Sequence, residues 1–504
     1  MHSPIHATQG DLSKLAKGAG AVFFGTIFGS IVTYVYNVYI ARTLGSELYG
    51  SYSLGLYVFN IAAVVSLMGL HTAILRYVAL YNGASKHEKT KGAIISGLSL
   101  ALPMSVATAA ALYTLSDFLA VRLFHELLLG RVLRMFAIGI PFINVSTLLM
   151  FATQGFQIVK YRVYIRNAFE PVGKLLFAAI FLFFGWQLDG VLRAFVLTLI
   201  ITSVLFSRSL LKISPQLREG IRPEYVFKEL IIFSLPLIPV SILQAVTQRM
   251  EPLILGNLCS PYEVGLYSAA YQTAMLITIV LMSLNIIFAP MISDLHNKGE
   301  LPKLESLFRI VTRWAFTLCI PLVVMTIFFA REILQIFGSQ FVAAAGCLVI
   351  LALGQLGHSA TGPVAFMLMM SGRTMIILVN ASLALLLKLI LNILLIPKFG
   401  LVGAATAAAI SIIILNLAMV VQVFYVLRMH PFVPSFFKPI FCGIAAILIV
   451  YAVKFLANID GLVGLFILGL TFMAFYAILI TLYGMNSEDR MVFSAIKRRA
   501  LGVR

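Results

Sequence analysis

Charged side chains interrupt several apolar stretches of this chain, and their types limit the chemistry that they could perform. Residues 227–258 are apolar enough to lie in a bilayer, yet they include Arg249 and Glu251. A charge at the centre of a membrane helix costs roughly 2.5–3.5 kcal/mol on insertion scales. We therefore expect Arg249 and Glu251 to face protein or a watery cavity, where they either bind a ligand or hold neighbouring helices together.

Three further basic residues lie in other apolar stretches. Arg76 lies at the end of one apolar stretch. Lys388 has no acidic neighbour within its own apolar stretch, so Lys388 needs a partner from another helix. Lys174 follows Glu170 by four positions, a spacing that predicts an ion pair within one helix. The whole set is net positive. A cavity that it lined would attract an anion, and arginine suits phosphate by bidentate hydrogen bonding.

Polar and aromatic side chains accompany these charges. Tyr36 and Asn37 offer a surface that suits a sugar, although anchoring or packing of their helix would explain them equally well. Gln248 directly precedes Arg249. The predicted substrate-binding residues are Arg249, Arg76, Lys388, Lys174, Glu251, Asn37, Tyr36 and Gln248.

The composition indicates which elements must position these residues. The chain has 504 residues, 61% of them hydrophobic and 11% charged, with a mean hydropathy of +1.00. Apolar runs of about 20 residues, each long enough to cross a bilayer, recur throughout. They predict spans near 19–43, 50–80, 92–114, 134–156, 162–185, 190–211, 229–257, 264–293, 307–330, 343–371, 374–396, 401–427, 436–457 and 461–484.

The net charge of +18 comes from Lys and Arg in short loops, which predicts membrane orientation rather than nucleic-acid binding. About 25 of these residues lie on one side and about seven on the other, so we expect both termini in the cytoplasm of a multi-pass cell-membrane protein. The four dispersed cysteines indicate neither a metal site nor a disulfide framework.

An internal repeat emerges at a shift of about 214 residues. Residues 44–53 match 258–268 with one insertion, Phe151 falls on Phe366, and Lys174 falls on Lys388. Because each copy has an even number of spans, the copies share one orientation. The predicted organisation is a six-helix bundle at 1–211, a basic linker at 212–228, a second bundle at 229–428, an extra helix pair at 436–484 and a basic tail at 485–504.

Three stretches carry a family resemblance: ARTLGSELYGSYSL between spans 1 and 2, GLHTAILRYVA at the end of span 2, and PKFGLVGAATAAAIS at 397–411. With the fourteen spans, they resemble the polysaccharide-export flippases of the multidrug/oligosaccharidyl-lipid/polysaccharide superfamily. The resemblance implies an all-α polytopic membrane protein with two six-helix bundles around a cationic cavity. It also implies alternating access, and it makes Arg76, Arg249 and Lys388 positional candidates for cavity residues.

The predicted function is translocation of a polyprenyl-diphosphate-linked oligosaccharide from the inner to the outer leaflet, for cell-surface glycan biosynthesis. The expected partners are this substrate, membrane lipids, a coupling ion (Na⁺ or H⁺), and a polysaccharide polymerase or glycosyltransferases. No cofactor is expected.

Other functions compete with this one. A lipid II flippase would share the spans and the cationic cavity. A cation-coupled multidrug exporter would use an intramembrane carboxylate such as Glu251, but such exporters typically have twelve spans. A membrane glycosyltransferase or ligase would need acidic residues in a sizeable outer domain, and no predicted loop exceeds about twenty residues. No Gly-rich phosphate loop indicates an ATPase. We therefore expect no enzyme.

Overall fold

The computed structural model describes residues 9–214, 221–432, 434–457 and 461–484. The predicted tail at 485–504 and residues 215–220 of the predicted linker lie outside the described residues. All secondary structure within the described ranges is helical. The all-α class predicted from the apolar runs is therefore confirmed.

The helices follow one another with short connections. Up to residue 213 they are α1 (Gln9–Leu67), α2 (Leu70–Gly83), α3 (His87–Phe118), α4 (Leu127–Gly155), α5 (Glu170–Phe183) and α6 (Gln187–Ile213), with π-helical segments at Leu119–Leu123 and Arg162–Phe169. Next come α7 (Phe227–Ser234), α8 (Leu237–Thr247), α9 (Met250–Leu258) and α10 (Pro261–Asn297).

The remaining helices are α11 (Leu301–Phe328), α12 (Ala330–Gln335), α13 (Ala345–Thr361), α14 (Val364–Met370), α15 (Thr374–Leu427), α16 (Lys438–Ala457) and α17 (Gly461–Leu479). Short 3₁₀ turns lie at Ser339–Ala344 and Pro434–Phe437, and a π-helical segment lies at Ile480–Gly484. Each of the fourteen predicted spans coincides with one or more of these described helices.

Among the described residues, eight helices are long and apolar enough to cross a membrane, or nine if the bent pair α7 and α8 forms one span. The two longest, of 46 and 53 residues, are each interrupted by a glycine with non-helical backbone: Gly45 in α1 and Gly400 in α15. Both glycines have positive φ, of 79° and 51°, which side chains with a Cβ rarely adopt. Each long helix thus supplies two predicted spans.

Residues with positive φ recur at the offset of the internal repeat. Such residues end helices, because a left-handed backbone cannot continue a right-handed helix. Four pairs are separated by 213 to 215 positions: Ser85 and Gly299, His125 and Gly338, Gln157 and Gly372, and Gly185 and Gly400. The two copies therefore interrupt their helices at equivalent places, which supports the repeat that weak sequence matches predicted.

Contacts divide the chain into two compact units. The first contains residues up to Ala269 together with Ala381–Ala404, and the second contains Ala270–Asn380 and the residues from Ala405 on. Helices α10 and α15 therefore pass from one unit into the other. The bundle boundaries predicted from the repeat, 1–211 and 229–428, remain a prediction.

In the first unit, α4 packs against α1, α2, α3 and α6. The buried amide of Asn144 joins three of these helices, since its Nδ2 donates to Ser66 Oγ at 2.7 Å and to Ser105 Oγ at 2.8 Å. In the second unit, α11 packs against α13 and α16. The amides of Asn380 and Gln422 bond each other reciprocally at 2.6 and 2.8 Å, which ties the two ends of α15 together.

Candidate functional site

The predicted span at 229–257 is a helix that is broken twice. The first break lies at Pro236, where α7 and α8 meet at 48°. The second lies at Gln248 and Arg249, where Arg249 has non-helical dihedral angles of −125° and 10°. Pro252 has no backbone N–H, so it cannot donate to the Gln248 carbonyl as a helical residue would. Pro252 thus leaves the Gln248 carbonyl group without its usual helical donor.

Lys388 reaches this second break from α15. Its Nζ lies 2.7 Å from Glu251 Oε1 and donates to the Thr247 carbonyl oxygen at 3.0 Å. Glu251 is only 2% exposed. The partner that Lys388 requires is therefore Glu251, and the carbonyl at the end of α8 supplies the negative end of a helix dipole as well. Together the two side chains are electrically neutral.

Arg249 supplies the remaining charge at the break. Its side chain is half-buried, and its Nη1 donates to the Ala245 carbonyl oxygen at 3.3 Å. Gln248 beside it is exposed. The break thus brings together two cationic side chains, Arg249 and Lys388, and the carboxylate of Glu251. Such a group can hold an anion by charge-assisted hydrogen bonds.

Sequence reasoning missed two residues near the break. The hydroxyl of Tyr57 lies 3.2 Å from Ser268 Oγ and within electrostatic range of Arg249 and Glu251. The buried Asn392 lies one turn beyond Lys388, and its Nδ2 donates to the Lys388 carbonyl oxygen at 2.8 Å. One tyrosine or asparagine in an apolar run resembles a packing residue. For Tyr57, the sequence offered one signal: its partner Ser268 lies in the joint that is repeated at 258–268.

Lys174 belongs to a separate group of charges. The buried Glu170 accepts from Lys174 Nζ at 2.8 Å and from Arg166 Nη1 at 2.7 Å. The Lys174 ammonium also lies 4.6 Å from the centre of the Phe195 ring. The ion pair predicted from the four-residue spacing is therefore present. A role of Lys174 in substrate binding remains a prediction.

Arg76 also lies away from the break, on an exposed face of α2. Its guanidinium carbon is 4.6 Å from the ring centre of Phe233 and 5.9 Å from that of Tyr77. The contact with Phe233 connects α2 to α7, whereas Tyr77 lies in α2 itself.

Tyr36 and Asn37 take part in a buried network at the first joint. The hydroxyl groups of Tyr36 and Tyr52 are 2.9 Å apart. Asn37 Nδ2 donates to the Thr33 carbonyl oxygen at 2.8 Å, and Tyr49 donates to Asn37 Oδ1 at 3.3 Å. These contacts match the packing role that the sequence left open beside sugar binding. Binding of a sugar by Tyr36 or Asn37 remains a prediction.

Comparison with known proteins extends this description. A family model described as "Polysaccharide biosynthesis protein" matches residues 15–296, and the MatE family model matches residues 236–394. The chain is 24% identical over 499 residues to the uncharacterized membrane protein MJ1068 of Methanocaldococcus jannaschii, which covers 92% of this chain and 94% of that protein.

Two shorter matches concern proteins with functional names. The chain is 29% identical over 163 residues to the probable low-salt glycan biosynthesis flippase Agl15 of Haloferax volcanii, covering 32% of this chain. It is 26% identical over 189 residues to the capsular polysaccharide biosynthesis protein CapF of Staphylococcus aureus, covering 37% of this chain. The matches span 34% of Agl15 and 47% of CapF, less than half of either relative.

Solved structures share the fold. The lipid II flippase MurJ, in an inward closed conformation, aligns with a TM-score of 0.74 at 16% identity, covering 95% of this chain and 99% of MurJ. An inward-facing multidrug resistance MATE family transporter aligns with a TM-score of 0.63 at 14% identity, covering 79% of this chain and 94% of the transporter. At these identities the likeness concerns the fold and does not transfer a substrate.

Proposed function

Because the chain belongs to the polysaccharide biosynthesis protein family, of the flippase type within the multidrug/oligosaccharidyl-lipid/polysaccharide superfamily, we propose that it translocates a polyprenyl-diphosphate-linked oligosaccharide. The movement runs from the inner to the outer leaflet of the cell membrane by alternating access. The oligosaccharide then serves cell-surface glycan biosynthesis. Both termini are cytoplasmic in this proposal.

The positive charge of Arg249 at a broken membrane helix carries the proposal. A diphosphate that crosses the membrane needs a counter-charge inside the protein, because an unpaired charge in hydrocarbon is costly. Lys388 and Glu251 form an ion pair, and Arg249 adds a guanidinium group at the same break. Its planar guanidinium can donate two parallel hydrogen bonds to phosphate oxygens. The freed backbone and the exposed Gln248 offer polar groups beside it.

The two competing functions, lipid II flippase and multidrug exporter, differ in how well they fit the charged side chains at the helix break. A lipid II flippase also carries a diphosphate, so Arg249 would serve it equally well, and the fold likeness to MurJ is compatible with it. The names of Agl15 and CapF favour a glycan. A cation-coupled multidrug exporter requires an available carboxylate, whereas Glu251 is buried and forms an ion pair with Lys388.

The proposal assigns transport to this chain and no enzymatic step. Na⁺, H⁺ or the membrane potential would drive the cycle, and a polymerase or glycosyltransferases would make and use the cargo.

Binding by purified protein tests the proposed substrate class. Thermal unfolding is measured with polyprenyl diphosphate, polyprenyl monophosphate, uncharged polyprenol and a lipophilic cation, each in the same detergent. We expect the diphosphate to raise Tm the most, and Arg249→Gln to remove that increase. A larger increase with the cation than with the diphosphate would contradict the proposal and favour drug export.

A further inference from the structure

A polar cavity of about 390 Å³ lies in the first unit and shares no residue with the broken helix. Arg131 near the start of α4 lines one side, and Asp189 and Arg193 of α6 line another. Leu48 of α1 and Leu128 of α4 add apolar walls. Cavities of roughly 300–1,000 Å³ are typical of small-molecule sites. The space suits a monosaccharide.

The turn between α5 and α6 forms the rest of the wall. Gly185 and Gln187 both have positive φ, of 79° and 40°. A residue with a Cβ, such as Gln187, rarely adopts this conformation, and backbone outliers of this kind are concentrated at functional sites. The conformation places Trp186 and Gln187 among the cavity residues.

The three charged side chains that line the cavity differ in their partners. Arg131 and Asp189 form an ion pair. The guanidinium carbon of Arg193 lies 4.7 Å from the centre of the Trp186 ring, and Phe181 stacks on the same ring at 5.0 Å. Among the described residues, no carboxylate lies within ion-pair distance of Arg193. The cavity therefore has one excess positive charge and a guanidinium fixed against an aromatic ring.

We propose that this cavity binds an acidic sugar, meaning a pyranose that carries a carboxylate. The planar guanidinium groups match a carboxylate bidentately. Asp189 and Gln187 can accept hydrogen bonds from sugar hydroxyl groups, which a simple anion such as acetate does not offer. The apolar walls suit the C–H face of the ring. Arg131 and Arg193 both lie on the predicted outer side, so, if the proposed function holds, the site receives an acidic glycan as it leaves the transporter.

The chain contains its own probe for this site. It has only two tryptophans, Trp186 and Trp314, so Trp314→Phe leaves Trp186 as the single fluorophore. We expect its emission to change saturably with D-glucuronate. Glucose tests the need for the carboxylate, and acetate at equal ionic strength tests the need for the sugar. Neither should produce the saturable change.

A pair of arginine variants tests the assignment to this cavity. In the Trp314→Phe background, Arg131→Gln should weaken glucuronate binding at least tenfold. Arg134→Gln should not, because Arg134 pairs with Asp117 near the same helix end and does not line the cavity. An equal response to acetate, equal binding by both variants, or no response to glucuronate by folded protein would overturn the proposal. The readout is binding at Trp186, so its failure is distinguishable from failure of lipid translocation.

Discussion

Gly50 and Gly265 occupy matching positions in the two copies of the internal repeat, and their backbones meet. A Cβ on Gly50 would lie 1.8 Å from the Pro261 carbonyl oxygen and 2.9 Å from the Gly265 nitrogen. A Cβ on Gly265 would lie 2.0 Å from the Ser46 carbonyl oxygen and 3.1 Å from the Gly50 nitrogen. The reciprocal contact explains why both copies of the joint have glycine here: only glycine permits this approach.

Gly265→Ala should therefore destabilise the protein. The added methyl group would overlap backbone atoms, which cannot rotate away, and overpacking typically costs roughly 1–3 kcal/mol. Gly346→Ala is the matched control, because a Cβ there meets nothing within 4 Å. We expect a lower Tm for Gly265→Ala and an unchanged or slightly higher one for Gly346→Ala. Equal melting of the two variants would contradict the close approach.

The ion pair of Lys388 and Glu251 predicts a rescue experiment. Lys388→Met would leave the Glu251 carboxylate buried without its cation, and removing one member of a buried pair costs roughly 3–5 kcal/mol. Lys388→Met with Glu251→Gln would remove both charges and should restore much of the folded protein. Size-exclusion profiles and Tm report the result. If the double variant unfolded as readily as the single one, the pairing would be wrong.

Arg249 should be required for transport more than for folding. Arg249→Lys keeps the positive charge but cannot donate two parallel hydrogen bonds to the phosphate. Losing one charge-assisted hydrogen bond costs roughly 1.5–3 kcal/mol, which corresponds to a roughly 10- to 150-fold loss of affinity for the substrate. Arg249→Ala should abolish transport. Both proteins should remain in the membrane, as should the control Arg331→Ala, which removes an exposed arginine.

Expression and transport are measured side by side for these variants. Normal transport by a well-expressed Arg249→Ala protein would remove Arg249 from the site. A large loss of folded protein, restored by removing a partner carboxylate, would instead assign it a structural role.

Cys259, in the predicted outer joint between α9 and α10, should be labelled slowly and with a steep pH dependence. Burial, with the negative charge of Glu263 and a hydrogen bond to it, raises the pKa of the Cys259 thiol to about 12. Since the thiolate is the reactive form, its fraction at pH 8 is roughly a thousandfold below that of an ordinary cysteine. The other three cysteines are buried.

A membrane-impermeant maleimide added from outside measures this rate. We expect it to rise about tenfold per pH unit between pH 7 and 10, because the pH stays below the pKa. Glu263→Gln should accelerate labelling at pH 8, whereas Glu47→Gln, in the other joint, should not. A reaction that occurs only from the inside would overturn the predicted orientation.

The sequence indicated which charged residues in the apolar stretches need a partner. It did not always indicate which residue that partner is. The four-residue spacing was enough for Glu170 and Lys174, because a helix brings such residues together locally. Lys388 and Glu251 are 137 positions apart, and their contact depends on how whole helices pack. Arg249 and Glu251 lie two positions apart, so a helix does not bring them face to face. The structure pairs the Glu251 carboxylate with Lys388.

Other features of the fold could be predicted from the sequence for physical reasons. Apolar runs predicted the spans because the bilayer fixes their length. The repeat was readable because residues 44–53 match 258–268, and at this joint Gly50 and Gly265 permit the two backbones to approach closely. Residue type alone could not decide whether Tyr36 binds a sugar or packs a helix, since a tyrosine does both.

Translocation of a lipid-linked sugar in reconstituted vesicles tests the central claim most directly. A polyprenyl diphosphate with a dye on its sugar is placed in both leaflets, and an impermeant reductant bleaches only outward-facing dye. We predict that the protein raises the bleached fraction from about half to nearly all, while a dye-labelled phospholipid in matched vesicles stays near half. An unchanged bleached fraction with folded, reconstituted protein, across several glycans, would contradict the account.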